Sequence, residues 1–157
     1  MRPHALSIAF VAAVTIAVFA RTRSPSADVG VSRYRSDVSF VSGEIHIRQF
    51  AFGGIGFSGG ISDGQNFLFR TIGERGRNGL LGLYEDGDAQ AQAYALVGLR
   101  WLSPADYERL RGDFISRARV VVTMSACLIS EEEAAVVVAE IDSGAYDSYR
   151  WRTYEKG

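Results

Sequence analysis

The chain has 157 residues, enough for one domain with or without an export segment. Its 17 basic and 18 acidic residues leave a net charge of −1, so no one-signed field selects nucleic acid or an anionic surface. Apolar residues reach 47 %, enough for a packed core without metal or disulfide staples, and the single cysteine excludes an internal disulfide.

At the N-terminus, Arg2 and His4 precede ALSIAFVAAVTIAVFA, residues 5–20, and Arg21 and Arg23 follow it. A charged start, a short apolar stretch and the small residues Val18 and Ala20 before a cut describe a signal peptide over residues 1–20. As a helix the run would cover about 24 Å, short of a ~30 Å hydrocarbon core. A retained N-terminal membrane anchor is the alternative. Residues 21–36, RTRSPSADVGVSRYRS, are short of large apolar side chains and read as a flexible leader, which leaves 37–157 as a single globular domain.

In DVSFVSGEIHIR, residues 37–48, Val38 and Phe40, then Ile45 and Ile47, alternate with polar residues around Ser42-Gly43. This spacing predicts a β-hairpin. The stretch FGGIGFSGGISDG, residues 52–64, follows and matches three motifs at once. Gly54, Gly56 and Gly59 spell G-x-G-x-x-G, the dinucleotide fingerprint. Gly56, Ser58 and Gly60 spell G-x-S-x-G, the nucleophile elbow, and GFSGG differs by one residue from the GDSGG of trypsin-like proteases.

Context argues against each motif. The turn is too long for the fingerprint's helix to start inside it, and no βαβ pattern follows. The elbow needs a base after the serine, yet the one histidine past residue 20, His46, precedes Ser58. The protease order does put histidine first, but Phe57 stands at the acidic position and little chain separates His46 from Ser58. The stretch reads as a glycine-rich connector anchored to the core by Phe52, Ile55, Phe57 and Ile61.

Ser62 and Gln65 form a capping box ahead of NFLFRTI, and Gly73, Gly76 and Gly79 predict that this helix is short, with another turn or two in LLGLYED. Asp88 caps AQAQAYALVGLRWL, where Ala89, Ala93, Leu96, Val97 and Trp101 share a face while Tyr94, Leu99 and Leu102 occupy the opposite one. A helix apolar on nearly all sides belongs at the centre of the domain. Ser103-Pro104-Ala105-Asp106 opens a further helix that buries Tyr107, Leu110 and Phe114. The β-branched run 120–129 predicts one buried strand, with Cys127 inside it. Ser130 and Glu133 then repeat the capping box, with Glu131, Glu132 and Glu133 at the positive end of a helix that buries Ala134, Val137, Val138 and Ile141 and stops at Gly144. The aromatic tail with Tyr146, Tyr149, Trp151 and Tyr154 is suited to stack on sugars or grip a partner, or to dock on the domain.

Other patterns carry less. Arg111-Gly112-Asp113 spells the integrin-binding tripeptide but falls inside a predicted helix. Glu85, Asp86 and Asp88 lack the spacing of a calcium loop, and one histidine with one cysteine leaves no structural zinc site after residue 20.

The segment LLGLYEDGDAQAQAYALVGLRWL, residues 80–102, resembles a HEAT-type helical unit. YALVGLRWLSPADYERL followed by TMSACLIS is similar to a phrase of uncharacterised exported bacterial proteins. The first resemblance implies a packed helix pair and no catalytic residue; the second implies no particular activity.

The expected fold is mainly α, packed short helices with a small β-hairpin or strand element, the alternative being α+β. The expected function is a non-catalytic interaction or accessory module of the bacterial envelope, periplasmic or secreted, with a protein partner and no cofactor or metal. The alternative is a small hydrolase using Ser58 and His46 or a carboxylate pair.

Overall fold

Ser42 and Gly43, with φ of 51° and 90°, join strand β1 (Val38–Val41) to strand β2 (Glu44–Ile47) in the computed structural model, which describes residues 37–153 apart from Ser58 and Arg119. Two successive positive φ angles give the connection whose twist matches a hairpin, and the antiparallel register runs from Val38 opposite Ile47 to Val41 opposite Glu44. The hairpin expected from the alternation is present. Its one fully buried side chain is Ile47, while Phe40 and Val41 lie exposed. The signal segment expected at 1–20, the leader at 21–36 and Tyr154 lie outside the described residues.

The glycine-rich connector folds as a miniature ribbon, with β3 (Gly54–Ile55) antiparallel to β4 (Gly60–Ile61). Of its four expected anchors, Ile55 is buried and Phe52 half-buried. Phe57 and Ile61 are exposed, which corrects the expectation. Within the ribbon β3 turns Ile55 inward, while both residues of β4 and Phe57 in the turn face outward.

Helix α1 spans Asp63–Asp86, far longer than the glycines suggest. Among them only Gly76 leaves helical geometry (φ 54°, ψ −139°), and the helix kinks there without ending. Leu68 before the kink and Leu80 and Leu83 after it are buried in the same core, so tertiary packing overrides the low helical propensity of glycine. At its start the expected capping box is half made. Ser62 Oγ accepts the Gln65 N–H at 3.0 Å, but the Gln65 side chain turns to the connector instead of reciprocating.

Gly87 and Asp88 link α1 to helix α2 (Ala89–Leu102), and Asp88 Oδ1 accepts the Ala91 N–H at 2.9 Å as a cap. Ala93, Tyr94, Leu96, Val97, Leu99 and Trp101 are all buried, on both faces of α2, which places this helix at the centre of the fold. Helix α3 (Pro104–Arg117) begins with proline in its first turn and buries Tyr107 and Phe114. Ser103 stands at its N-cap, but the hydroxyl donates to Asp106 and caps no backbone N–H.

The run expected to form one buried strand is a hairpin. Strand β5 (Val120–Ser125) turns at Ala126, φ 52°, and returns as β6 (Leu128–Glu133). Only Val121 in this hairpin is fully buried. The three glutamates stand opposite Val122, Val121 and Val120 in the ladder, so the Ser130–Glu133 capping box does not form. Helix α4 (Ala134–Ser143) buries Ala134, Val137, Val138 and Ile141 as its spacing predicts, and Gly144 stops it in the left-handed region. A 3-10 segment (Asp147–Thr153) follows. The whole is mainly helical with short antiparallel strand pairs, the fold class that the sequence implies.

Candidate binding cleft and exposed ribbon tips

A buried polar knot fixes the connector on α2. The Ala51 N–H donates to Tyr94 Oη at 2.8 Å, and the Tyr94 hydroxyl donates to the Ala51 carbonyl at 2.7 Å. Ser62 Oγ lies 3.0 Å from Tyr94 Oη and 2.9 Å from the Ala51 carbonyl, and the Gly53 N–H donates to Gln65 Oε1 at 2.9 Å. Burial pushes the Tyr94 phenol up to about 12, because the anion would lose its water without gaining a cation.

Just before this knot, Phe50 joins the edge of β5. Its N–H donates to the Val122 carbonyl at 2.8 Å and its carbonyl accepts the Met124 N–H at 3.0 Å. Phe50 and Phe52 thereby face the tail. The Phe52 ring centroid lies 4.8 Å from that of Tyr146 and 5.4 Å from that of Tyr149, and Phe50 packs edge-on to Tyr94 at 4.8 Å and Tyr146 at 5.3 Å. The described part of the tail therefore docks through Tyr146 and Tyr149.

These rings line a cavity of about 320 Å³ between the inner face of β5–β6, the end of α4 and the tail. Thr123 and Ser130 present hydroxyls 3.0 Å apart on the strand wall. Glu132 from β6 and Glu140 from α4 supply carboxylates to the same cavity. Glu140 Oε2 accepts the Tyr146 hydroxyl at 2.5 Å, and burial together with this carboxylate raises the Tyr146 phenol above its ordinary range. The Glu132 side chain forms no hydrogen bond or ion pair among the described residues.

At the outer end of the hairpin a second feature appears. The Gly56 N–H donates to the Ala126 carbonyl at 2.8 Å, tying the β3–β4 tip to the β5–β6 tip. Phe57 is fully exposed there, Leu128 is 76 % exposed and Ile129 63 %. Cys127 is a free, exposed thiol in the β5–β6 turn, which corrects its expected burial.

His46 stands on β2 between two acids, with Nε2 3.5 Å from Glu44 Oε2 and Nδ1 3.6 Å from Asp88 Oδ2. Ser58 lies outside the described residues. Nearby, the Gly59 N–H donates to the Gly56 carbonyl and the Gly56 N–H to the Ala126 carbonyl, whereas Asp88, beside His46, takes the N–H groups of Ile47 and Ala91. Asp37 and Asp63 are neighbours joined through the backbone of the first. The Asp37 N–H donates to Asp63 Oδ2 at 3.0 Å, and burial, opposed by Arg48 and reinforced by Asp63, raises the Asp37 carboxyl. Neither aspartate lines the cleft.

The dinucleotide fingerprint occupies an antiparallel ribbon with no crossover helix inside it. Arg111-Gly112-Asp113 lies within α3, where Asp113 accepts from the Tyr84 hydroxyl and from Arg117. No group of three or more histidine, cysteine, aspartate or glutamate side chains among the described residues is placed to hold a metal ion.

The spacing of Glu132 and Glu140 gave no reason to pair them, because one belongs to a strand and the other to a helix. The signal for this cleft was the aromatic tail after the glycine stop, whose docking brings Tyr146 back to Glu140. No family model matches the chain, and neither a curated protein nor a solved structure matches it.

Proposed function

We propose that the chain is a non-catalytic interaction module of the bacterial envelope, exported by the segment at residues 1–20, with a protein as its partner. One observation carries this reading: Phe57, Leu128 and Ile129 are exposed on two ribbon tips that a backbone hydrogen bond ties together. Leu128 and Ile129 point to opposite faces of β6, so the joined tips offer apolar surface on both sides. Exposed apolar surface of this kind marks interaction sites, and aromatic anchors carry most of the energy where such surfaces bind. A photo-crosslinking phenylalanine analogue at position 57 of the full chain, expressed in a bacterial host, tests it. A discrete cross-linked species that Leu128→Ser and Ile129→Ser remove supports the reading. Cross-linking that ignores both substitutions, or none at all, overturns it.

A second reading, a small hydrolase, is favoured by His46 Nδ1 at 3.6 Å from Asp88 Oδ2, which resembles the acid–histidine half of a catalytic triad. Ser58 would be its nucleophile. Any ester or peptide hydrolysis by the purified chain must vanish in Ser58→Ala and in His46→Ala with the fold intact. An unchanged rate removes this reading.

A further inference from the structure

We propose that the cleft between β5–β6, α4 and the tail binds an organic cation, an ammonium or guanidinium group on an apolar stem. The inference does not depend on the partner proposed for the ribbon tips and concerns the cavity lined by Phe50 and Phe52.

Several acids elsewhere on the described surface are matched by arginines of the chain, although Glu74, Glu85, Asp86, Glu131 and Glu133 are not. Asp106 takes Arg77 and Arg109, Asp142 takes Arg111, Asp147 takes Arg100, and Asp113 takes Arg117. Glu132 and Glu140 line one cavity from two different elements, and among the described residues no lysine or arginine lines it with them. Both carboxylates border the one cavity, so a cation bound in it is attracted by each.

The rest of the lining suits the same ligand. Tyr146 and Tyr149 join Phe52 around the cavity, and aromatic faces attract a cation through their quadrupole while accepting the methylenes behind it. The Thr123 and Ser130 hydroxyls offer oxygen acceptors on the strand wall. At about 320 Å³ the cavity is at the small end of ligand sites, a size for one amine-bearing chain. The Tyr146 hydroxyl already donates to Glu140 Oε2, so it holds that carboxylate in place across the cavity.

Calorimetric titration of the full chain with 1,5-diaminopentane and with N-acetyl-lysine amide tests the proposal and separates a free amine from a peptide side chain, since the tighter of the two identifies the source. Pentanol, calcium chloride and maltose serve as the uncharged, inorganic and sugar comparisons. Binding of at least one amine is expected, with Glu132→Gln weakening it about tenfold, as expected on removing a charge-assisted hydrogen bond. Glu140→Gln should act in the same direction. If Glu140→Gln disturbs folding through Tyr146, Glu132→Gln decides alone, because that side chain has no bonding partner among the described residues. Failure of both amines to bind overturns the proposal. So does amine binding that Glu132→Gln leaves unchanged, or tighter binding of maltose, pentanol or calcium.

Discussion

Tyr94 and Ala51 exchange two hydrogen bonds: the phenol donates to the Ala51 carbonyl at 2.7 Å and accepts the Ala51 N–H at 2.8 Å. One side chain thus completes both backbone groups of a buried connector residue, as a neighbouring strand would. Tyr94→Phe leaves the Ala51 N–H without a partner inside the core, while the carbonyl keeps only the Ser62 hydroxyl, a loss of about 1–3 kcal/mol. Urea unfolding should show the lower midpoint, and hydrogen exchange should show faster opening at Ala51.

The same phenol sets an alkaline limit. Its ionisation rises from 10.0 in the unfolded chain to about 12 when buried, so the folded state holds this proton more tightly. The stability it contributes is complete below pH 10.0 and is lost as pH rises towards about 12. Melting temperatures recorded across that interval should fall more steeply for the wild-type chain than for Tyr94→Phe.

The acid limit rests on Asp106. Arg77 holds its carboxylate by two bonds of 2.5 and 2.9 Å, and Ser103 and Arg109 donate to the same group. These donors, Arg77 foremost, hold the carboxyl well below the usual carboxylate range. The sign is the reverse of Tyr94: the contribution is present above the ordinary value of 3.8 and disappears as pH falls through the depressed folded one. Asp106→Asn should therefore be less stable than wild type at pH 7, with the gap closing in strongly acidic buffer. Denaturant midpoints for the two chains over this range check it.

Two glycines of α1 should respond oppositely to alanine. At Gly76, φ 54° and ψ −139° form a backbone state that side chains resist, and Gly76→Ala should destabilise by about 1–3 kcal/mol. A Cβ at Gly82 meets nothing within 4 Å, and Gly82→Ala should stabilise by about 0.4–1 kcal/mol by restricting the unfolded chain. Thermal unfolding of the pair distinguishes a required kink from incidental glycines.

The lone thiol gives a direct check on the hairpin. With Cys127 exposed at the turn, a maleimide should label the native chain completely without denaturant. Protection from labelling, relieved by urea, would mean that the 120–129 run is buried after all.

Helices α2, α3 and α4 and the first hairpin were legible because each carries its own period and boundary signals. Asp88 caps where it should, Ser42-Gly43 turns where it should, and Val137, Val138 and Ile141 face inward. The long α1 was not legible, since Gly73, Gly76 and Gly79 weaken a helix locally while Leu68, Leu80 and Leu83 hold it together through contacts with distant residues. The β5–β6 turn was hidden for a related reason. Ala126 lacks the usual turn chemistry, and its carbonyl is engaged by Gly56 from another ribbon. Once the hairpin forms, the ladder claims Glu131, Glu132 and Glu133, and the cap signal written in Ser130-x-x-Glu133 loses to strand pairing. The cleft combines Phe50 with Glu132, Glu140 and Tyr149, positions related only by the folded topology.

Phe52 and Tyr146 enclose the cleft from opposite ends of the described chain. Contacts of such long sequence separation form late, because the loop between them must close before they gain anything. A chain interrupted anywhere between the two rings lacks a floor or a wall even if α2 and α3 have already packed. Occupancy of the cleft is thereby a readout of completed folding, and its ligand would stabilise only molecules whose synthesis and docking have run through Tyr149.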